Sequence, residues 1–214
     1  PNTPMQHSRI KVVSGNFVTA RPMGIIDGVD YLHTGVVRKV DAESIQDLLS
    51  RGNIVLVSPT GFSPTGEAFN LTTEDVATAI AVAIHADKLI LSVGVDGVRI
   101  QGEKQQDLTA QQAQALIQSK QVDDEDVYNL GYALRAIKGG VDRVHIVPYA
   151  MDGGILTELF THDGVGTMIS TENMESLREA TIDDVAAIVK LLEPFEAEGI
   201  LAVSYTHLRA HETL

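Results

Sequence analysis

The 214-residue chain contains no cysteine and no tryptophan, and it has only five tyrosines and five phenylalanines. Without cysteine it can form neither a disulfide nor a thiolate nucleophile. It also lacks an apolar run of roughly 20 residues, the length needed to cross a membrane as a helix. The first residues contain no hydrophobic signal segment. We therefore expect a soluble, cytoplasmic protein that does not bind membranes.

Basic residues are also scarce, since 16 Lys and Arg stand against 29 Asp and Glu and give a net charge of −13. A nucleic-acid-binding surface needs clustered Lys and Arg, so we predict no nucleic-acid partner. A solvated acidic surface that favours solubility accounts for the charge. The seven histidines form no H-E-x-x-H or H-x-H set, and we predict no metal site.

Three short apolar runs alternate with helical patterns along the chain. These runs are NIVLVS at 53–58, KLILSV at 88–93 and RVHIVP at 143–148. Continuous apolar runs between helices are typical of parallel strands buried on both faces. The pattern predicts an α/β protein, a three-layer αβα sandwich with a mainly parallel sheet. Residues 9–20 additionally predict a hairpin or bent strand.

A glycine-containing loop at 61–66 joins the first apolar run to a predicted helix. This is the position at which α/β proteins commonly bind anions. A P-loop requires Lys after its last glycine, but Glu67 follows Gly66 and would repel a phosphate, which excludes that motif. A simple turn and a loop that holds a smaller anion, such as a carboxylate, both stay open. Glu74 suits the positive end of the helix, whereas Asn70 lies just outside it and is free to contact a ligand.

A second candidate site lies in ELFTHDGVGT at 158–167. Glu158 belongs to a short predicted helix, and its carboxylate can meet a cation. Gly164 and Gly166 allow the backbone to approach another group closely. A turn into a strand beside a surface glutamate is the alternative interpretation.

Four segments, VVSGNF, DGVDYLHTG, GEAFNLTTEDVATAIA and ELFTHDGVGTMI, resemble the kinase-like domain of bacterial N-acetylglutamate synthases. The resemblance implies that residues 1–170 form an arginine-sensing domain with the amino-acid kinase, or carbamate kinase-like, fold. Because the chain does not start with Met, we expect this domain to lack its beginning. L-Arginine, the feedback inhibitor in the family, would place its guanidinium on Glu158 and its carboxylate on the N–H groups around Gly164 and Gly166. Assembly into a homo-oligomer is also implied.

In that family a second domain makes N-acetylglutamate from acetyl-CoA and L-glutamate. We interpret residues 171–176 as a linker, and the segment at 177–202 resembles the first strand and helix of this acetyltransferase (GNAT) domain. Residues 203–214, VSYTHLRAHETL, resemble a translated sequencing adaptor and are interpreted as a non-native tail. We therefore expect no catalytic residue and no bound cofactor in this chain, with acetyl-CoA a substrate of the full-length enzyme.

The same resemblance also implies that the kinase activity is lost. Acetylglutamate kinases have Asn followed four residues later by a catalytic Asp, where this chain has Asn70 and Glu74. A lysine that stabilises the transferred phosphoryl group is replaced by Arg135. Since phosphoryl transfer depends on positioned charge, Gly66, Asn70, Glu74 and Arg135 are interpreted as a vestigial kinase substrate pocket. An unusual acetylglutamate kinase and a stand-alone arginine-binding module are the alternative functions.

Overall fold

A computed structural model of the chain describes residues 10–161 and 164–171. The predicted linker beyond residue 171, the start of a second domain at 177–202 and the tail at 203–214 lie outside the described residues. Within them the helices are α1 (Ala42–Ser50), α2 (Thr73–Ala83), α3 (Ala110–Ser119), α4 (Asp124–Lys138) and α5 (Gly154–Phe160). Side chains fix several helix starts: Asp41 caps α1, Thr109 caps α3 and Asp123 caps α4, because each accepts a hydrogen bond from a free N–H of the first turn.

The strands before α2 are short. They are β1 (Lys11–Ser14), β2 (Val18–Pro22), β3 (Ile25–Ile26), β4 (Val29–Asp30), β5 (Gly35–Val40), β6 (Asn53–Leu56), β7 (Thr60–Phe62) and β8 (Ala68–Asn70). The strands after α2 are β9 (Lys88–Val93), β10 (Arg99–Ile100), β11 (Glu103–Lys104), β12 (Asp107–Thr109), β13 (Arg143–Pro148) and β14 (Thr167–Ser170). This order of strands and helices confirms the predicted α/β class.

The largest core packs around a four-stranded sheet in the order β12-β14-β13-β9. Strands β9 and β13 are parallel, with Lys88 opposite Arg143 and Val93 opposite Pro148, whereas β14 runs antiparallel to β13 and parallel to β12. Apolar side chains from these strands meet those of α3 and α4, including Leu116 of α3. The carboxyl-terminal half of the described chain is thus one continuously packed unit.

A second four-stranded sheet has the order β5-β2-β7-β8 and a smaller core. Helix α2 contributes to both cores, with Val76 in the smaller one and Ala81 in the larger one. Two further pairs, β3–β4 and β10–β11, are antiparallel hairpins, and β1 pairs in parallel with β6. In the part of the chain that the structure describes, no helix is both long and apolar enough to cross a membrane.

Three local predictions differ from the structure. The predicted hairpin at 9–20 is wrong, because β1 pairs with β6 whereas β2 pairs with β5 and β7. The run at 53–58 is not buried on both faces, since Ile54 and Leu56 are 53% and 59% exposed. The predicted loop at 61–66 consists of the end of β7 and the turn that leads into β8. Gly61 lies within β7, where a Cβ atom would stand 2.8 Å from the Cβ of Ala20, so close strand packing explains this glycine.

Candidate functional site

Glu158 lies where α5, β13 and the loop before β14 meet. Its Oε1 is 2.7 Å from Nδ1 of His145, a residue of β13. The two side chains are only 5% and 7% exposed. The structure therefore places Glu158 in the interior rather than on the surface, so the alternative of a surface glutamate is wrong.

The other carboxylate oxygen of Glu158 holds the loop that contains the two predicted glycines. Oε2 accepts hydrogen bonds from the backbone N–H groups of Val165, at 2.7 Å, and Gly166, at 2.9 Å. Gly164 has φ +57°, and a Cβ atom there would stand 2.7 Å from Oε2 of Glu158. A Cβ atom on Gly166 would lie 2.1 Å from the carbonyl oxygen of Ile146. Both glycines are therefore required by the close approach of the loop to Glu158 and β13.

The hydrogen bonds decide the ionisation of Glu158. Burial raises the pKa of this carboxyl, but the hydrogen bonds from His145, Val165 and Gly166 outweigh burial and lower the pKa below its ordinary value. The carboxylate is thus ionised at neutral pH, and Nδ1 of His145 donates to it. Nε2 of the same ring is buried and has no hydrogen-bond partner in the described residues.

Sequence reasoning misses His145. The histidines of this chain lack metal-ligand spacing, and His145 precedes Glu158 by 13 residues. The available signal is a histidine within the apolar run RVHIVP, because a histidine buried in a strand needs a hydrogen-bonding partner.

The loop is anchored from its other side by the β10–β11 hairpin and the residues next to it. Nζ of Lys104 donates a short hydrogen bond to the carbonyl oxygen of Val165. The hydroxyl of Thr167 accepts from the N–H of Val98 at 2.9 Å and donates to the carbonyl oxygen of Gln105 at 2.6 Å. The loop at 164–167 thus connects α5 to β14, an inner strand of the large sheet, and is held by hydrogen bonds with Glu158 and with residues next to the β10–β11 hairpin.

The residues of the predicted kinase pocket lie on several elements around α2. Gly66 is in the turn of the β7–β8 hairpin with φ +91°, and Asn70 ends β8, where its N–H donates to the carbonyl oxygen of His33 at 2.8 Å. Glu74 is in the first turn of α2, and Arg135 is on α4. Gly66 has no side chain, and no hydrogen bond or ion pair joins the side chains of the other three residues to one another.

Arg135 is instead engaged by Asp75, which lies in the first turn of α2. Nη2 of Arg135 donates to Oδ1 of Asp75 at 2.6 Å and to its carbonyl oxygen at 3.2 Å. Oδ2 of Asp75 accepts from the N–H of Val37 in β5 at 3.0 Å. The guanidinium also lies 4.9 Å from the ring centroid of Tyr132. Asp75 therefore connects β5, α2 and α4, and the positive charge of Arg135 is paired with the carboxylate of Asp75.

Asp126 is a second buried carboxylate, in the first turn of α4. It is 4% exposed and accepts one long hydrogen bond, at 3.4 Å, from the N–H of Arg99. Oδ1 has no hydrogen-bond partner in the residues that are described. Burial raises the pKa of Asp126, and the negative charges of Asp123 and Glu125 raise it further.

Across residues 10–161 and 164–171, no group of three or more His, Asp or Glu side chains is arranged to hold a metal ion.

Comparisons with known proteins agree with this architecture. One relative, the amino-acid acetyltransferase of Ralstonia nicotianae, is 56% identical over 202 residues, which are 94% of this chain and 45% of that protein. The corresponding protein of Ectopseudomonas mendocina is 50% identical over 200 residues, 93% of this chain and 46% of its own length. The chain thus spans less than half the length of these curated relatives.

Solved structures give the same result. N-acetylglutamate synthase from Neisseria gonorrhoeae, complexed with coenzyme A and L-arginine, is 39% identical with a TM-score of 0.75, over 94% of this chain and 47% of that one. Carbamate kinase from Giardia lamblia bound to AMP-PNP is 12% identical with a TM-score of 0.52, over 64% of this chain and 46% of that one, and shares the fold alone. The profile of the amino acid kinase family matches residues 2–148. The chain therefore belongs to the amino acid kinase family.

Proposed function

We propose that this chain is the kinase-like, arginine-sensing part of an N-acetylglutamate synthase. The whole enzyme would make N-acetyl-L-glutamate from acetyl-CoA and L-glutamate in the cytoplasm, as the first step of arginine biosynthesis, and would assemble as a homo-oligomer. The observation that carries the proposal is the likeness, over 94% of this chain, to an N-acetylglutamate synthase complexed with L-arginine. The relatives named amino-acid acetyltransferase support the same reaction class.

In this proposal, acetyl transfer belongs to the part of the longer protein outside residues 1–170. The amine nitrogen of glutamate attacks the thioester carbonyl carbon, so that a C–N bond forms and the C–S bond breaks. The nitrogen loses one proton, the departing sulfur gains one, and coenzyme A leaves as its thiol. Gly66, Asn70, Glu74 and Arg135 would form a vestigial kinase pocket. The engagement of Arg135 by Asp75 supports a structural use of that pocket, because a phosphate would have to compete with this ion pair.

L-Arginine is proposed to bind at Glu158, Gly164 and Gly166. The free site already contains both halves of the required recognition, a carboxylate and two converging N–H groups, but they satisfy each other. Binding therefore proceeds by an exchange of partners. The ligand carboxylate takes the loop N–H groups, and Glu158 turns to the guanidinium, where a charge-assisted pair forms.

Isothermal titration calorimetry tests this exchange. We expect L-arginine to bind the chain and to bind Glu158→Gln at least ten-fold more weakly, because one charge-assisted hydrogen bond contributes about 1.5–3 kcal/mol. Agmatine, which lacks the carboxylate, should also bind more weakly than L-arginine. Glu43→Gln, at an exposed position of α1, is the matched control and should bind as the unchanged chain does. Equal affinities of the chain and Glu158→Gln would remove Glu158 from the site.

Release of coenzyme A tests where acetyl transfer occurs. With acetyl-CoA and L-glutamate, we expect this chain to give no more coenzyme A than a blank without protein. Turnover above that blank would place catalytic groups within these 214 residues and contradict the proposed division of labour.

A further inference from the structure

Lys104, the last residue of β11, is a half-buried cation beside the loop that Glu158 holds. Its Nζ donates to the carbonyl oxygen of Val165. Among the residues that the structure describes, no carboxylate forms an ion pair with this ammonium group. Asp96 is within reach of its charge, but Asp96 is already paired with Arg99 at 2.7 Å. The direct contact of the ammonium group is therefore with the loop backbone.

One peptide group separates this ammonium from the carboxylate of Glu158. The carbonyl of Val165 and the N–H of Gly166 belong to the same peptide bond, which is trans. In a planar trans peptide these two groups point in opposite directions. The carbonyl oxygen accepts from Lys104 on one side, and the N–H donates to Oε2 of Glu158 on the other, at 2.9 Å. The peptide thus lies between a cation and an anion, in the orientation that both charges favour.

Backbone contacts keep the segment around Lys104 in place independently of its side chain. The carbonyl oxygen of Gln105 accepts from the hydroxyl of Thr167 at 2.6 Å. The carbonyl oxygen of Gln106 accepts from the N–H of Met168 at 2.8 Å. Because these bonds connect the residues after Lys104 to the residues after the loop, a substitution of the lysine should leave the two segments together.

We infer that Lys104 is a positioning residue that sets ligand specificity through the peptide between Val165 and Gly166. Its charge polarises this peptide and stabilises the carboxylate that accepts from the N–H of Gly166. In the free protein this carboxylate is that of Glu158. In the complex with L-arginine it is that of the ligand, and this part of the inference rests on the proposed function.

The ligand class that follows is a cationic amino acid, in preference to the amine without its carboxylate. L-Arginine replaces one anion on the loop by another when it displaces Glu158, so the stabilisation by Lys104 is retained. Agmatine has the guanidinium but no carboxylate, so it leaves the loop without an anion and forfeits that stabilisation. Lys104 therefore disfavours agmatine and has little effect on L-arginine.

The pKa of Glu158 in the free chain tests the inference without any ligand. Carbon-13 NMR of the side-chain carboxyl, assigned with Glu158→Gln, measures this pKa. In the described part of the chain, the other groups that face the carboxyl are His145 of β13 and the two loop N–H groups, which the variants retain. We expect Lys104→Met to raise the pKa by roughly half a pH unit or more, because the carboxylate loses a cation beyond the peptide. Lys104→Arg should restore the original value.

Lys39→Met is the matched control, since it removes the same charge from an exposed position of β5. It should leave the pKa of Glu158 unchanged. An unchanged pKa in Lys104→Met, or an equal rise in Lys104→Arg or Lys39→Met, would overturn the inference, because the effect would then not come from a cation at this position. Circular dichroism verifies folding, and Lys104→Gln, which also removes the charge, takes the place of Lys104→Met if that variant does not fold.

Isothermal titration calorimetry with L-arginine and agmatine tests the consequence for the ligand. We expect the ratio of the two affinities to fall about three-fold or more in Lys104→Met, the factor that corresponds to half a pH unit, and to stay constant in Lys104→Arg and Lys39→Met. A constant ratio in Lys104→Met would overturn the inferred specificity and leave the proposed arginine site intact. Failure of the unchanged chain to bind L-arginine would instead contradict the proposed function, and the NMR titration of Glu158 would still decide whether Lys104 acts through the peptide.

Discussion

Glu158 and Asp126 are two buried carboxylates whose pKa values shift in opposite directions. Their exposed fractions, counted over the whole residue, are 9% and 4% and therefore similar. The carboxylate of Glu158 accepts hydrogen bonds from the ring of His145 and from the backbone N–H groups of Val165 and Gly166, and these bonds lower its pKa. Asp126 accepts one long hydrogen bond among acidic neighbours, and its pKa is raised by burial and by their charge. Burial alone therefore does not decide ionisation in this protein; the number of donors does.

Glu158 lies in an environment whose N–H groups stabilise an anion, whereas Asp126 is a buried acid without such an environment. Around Glu158 the backbone supplies donors because the glycine-containing loop passes close to α5. Around Asp126 no comparable loop is present in the described part of the chain, and Oδ1 is left without a partner there. The first arrangement stabilises the negative charge of the Glu158 side chain, whereas the second disfavours the charge of Asp126.

Gly166→Ala should disrupt the hydrogen bonds to Glu158, and we expect it to have the largest effect on the free energy of unfolding. Its Cβ atom would lie 2.1 Å from the carbonyl oxygen of Ile146, so the loop must move and the two N–H groups must leave Glu158. We expect the free energy of unfolding, measured by urea denaturation, to fall by about 3 kcal/mol or more.

Gly66→Ala is the control for this substitution. Gly66 has positive φ, but no heavy atom lies within 4 Å of the position that the alanine methyl group would take. Only the backbone preference is therefore lost, at about 1–2 kcal/mol. A loss in Gly166→Ala no greater than in Gly66→Ala would show that the close approach to β13 contributes little.

Glu158→Gln should have the next largest effect, and the effect should depend on pH. The amide keeps the shape but loses the charge-assisted hydrogen bonds, at about 1.5–3 kcal/mol in unfolding free energy at pH 7. Because the pKa of Glu158 is lowered on folding from an ordinary 4.5, its stabilising contribution is complete above that value and is lost as the pH falls through the folded pKa. The difference between the two proteins should therefore shrink below pH 4.5. A difference that is constant from pH 7 to pH 3 would contradict a charge-dependent role.

The sequence predicts two strands of the large sheet and the Glu158 site better than it predicts the other strand pairings and ion pairs. The runs KLILSV and RVHIVP predict the positions of β9 and β13 correctly, since a short apolar run between two helices is a local pattern. Burial on both faces holds for β13, whereas burial alternates along β9, in which Lys88 and Ser92 are exposed. ELFTHDGVGT likewise brings Glu158 and both glycines to one place, because they are close in sequence. In these parts the information is local, and a reading of the residues recovers it.

The remaining contacts depend on residues distant in sequence. The local pattern pairs β1 with β2, but β1 pairs with β6, about forty residues later. Arg135 and Asp75 are 60 residues apart, and either alone reads as an ordinary charged residue on a helix. His145 is identified as the partner of Glu158 only when β13 and α5 are packed together. Local patterns carry no record of such pairings, which explains why the sequence does not predict them.

Asp126→Asn should have the smallest effect of these substitutions, and it should raise the free energy of unfolding rather than lower it. An amide can still accept from the N–H of Arg99 and removes the buried charge, so we expect a gain of about 0.5–1 kcal/mol in unfolding free energy at pH 7. Since the pKa of Asp126 is raised on folding from an ordinary 3.8, the folded state holds this proton more tightly, and stability falls as the pH rises between the unfolded and folded pKa values. The gain should therefore vanish below pH 3.8, as urea denaturation at several pH values will determine. Loss of stability in Asp126→Asn at pH 7 would mean that the charge is stabilised by donors, and the contrast with Glu158 would fail.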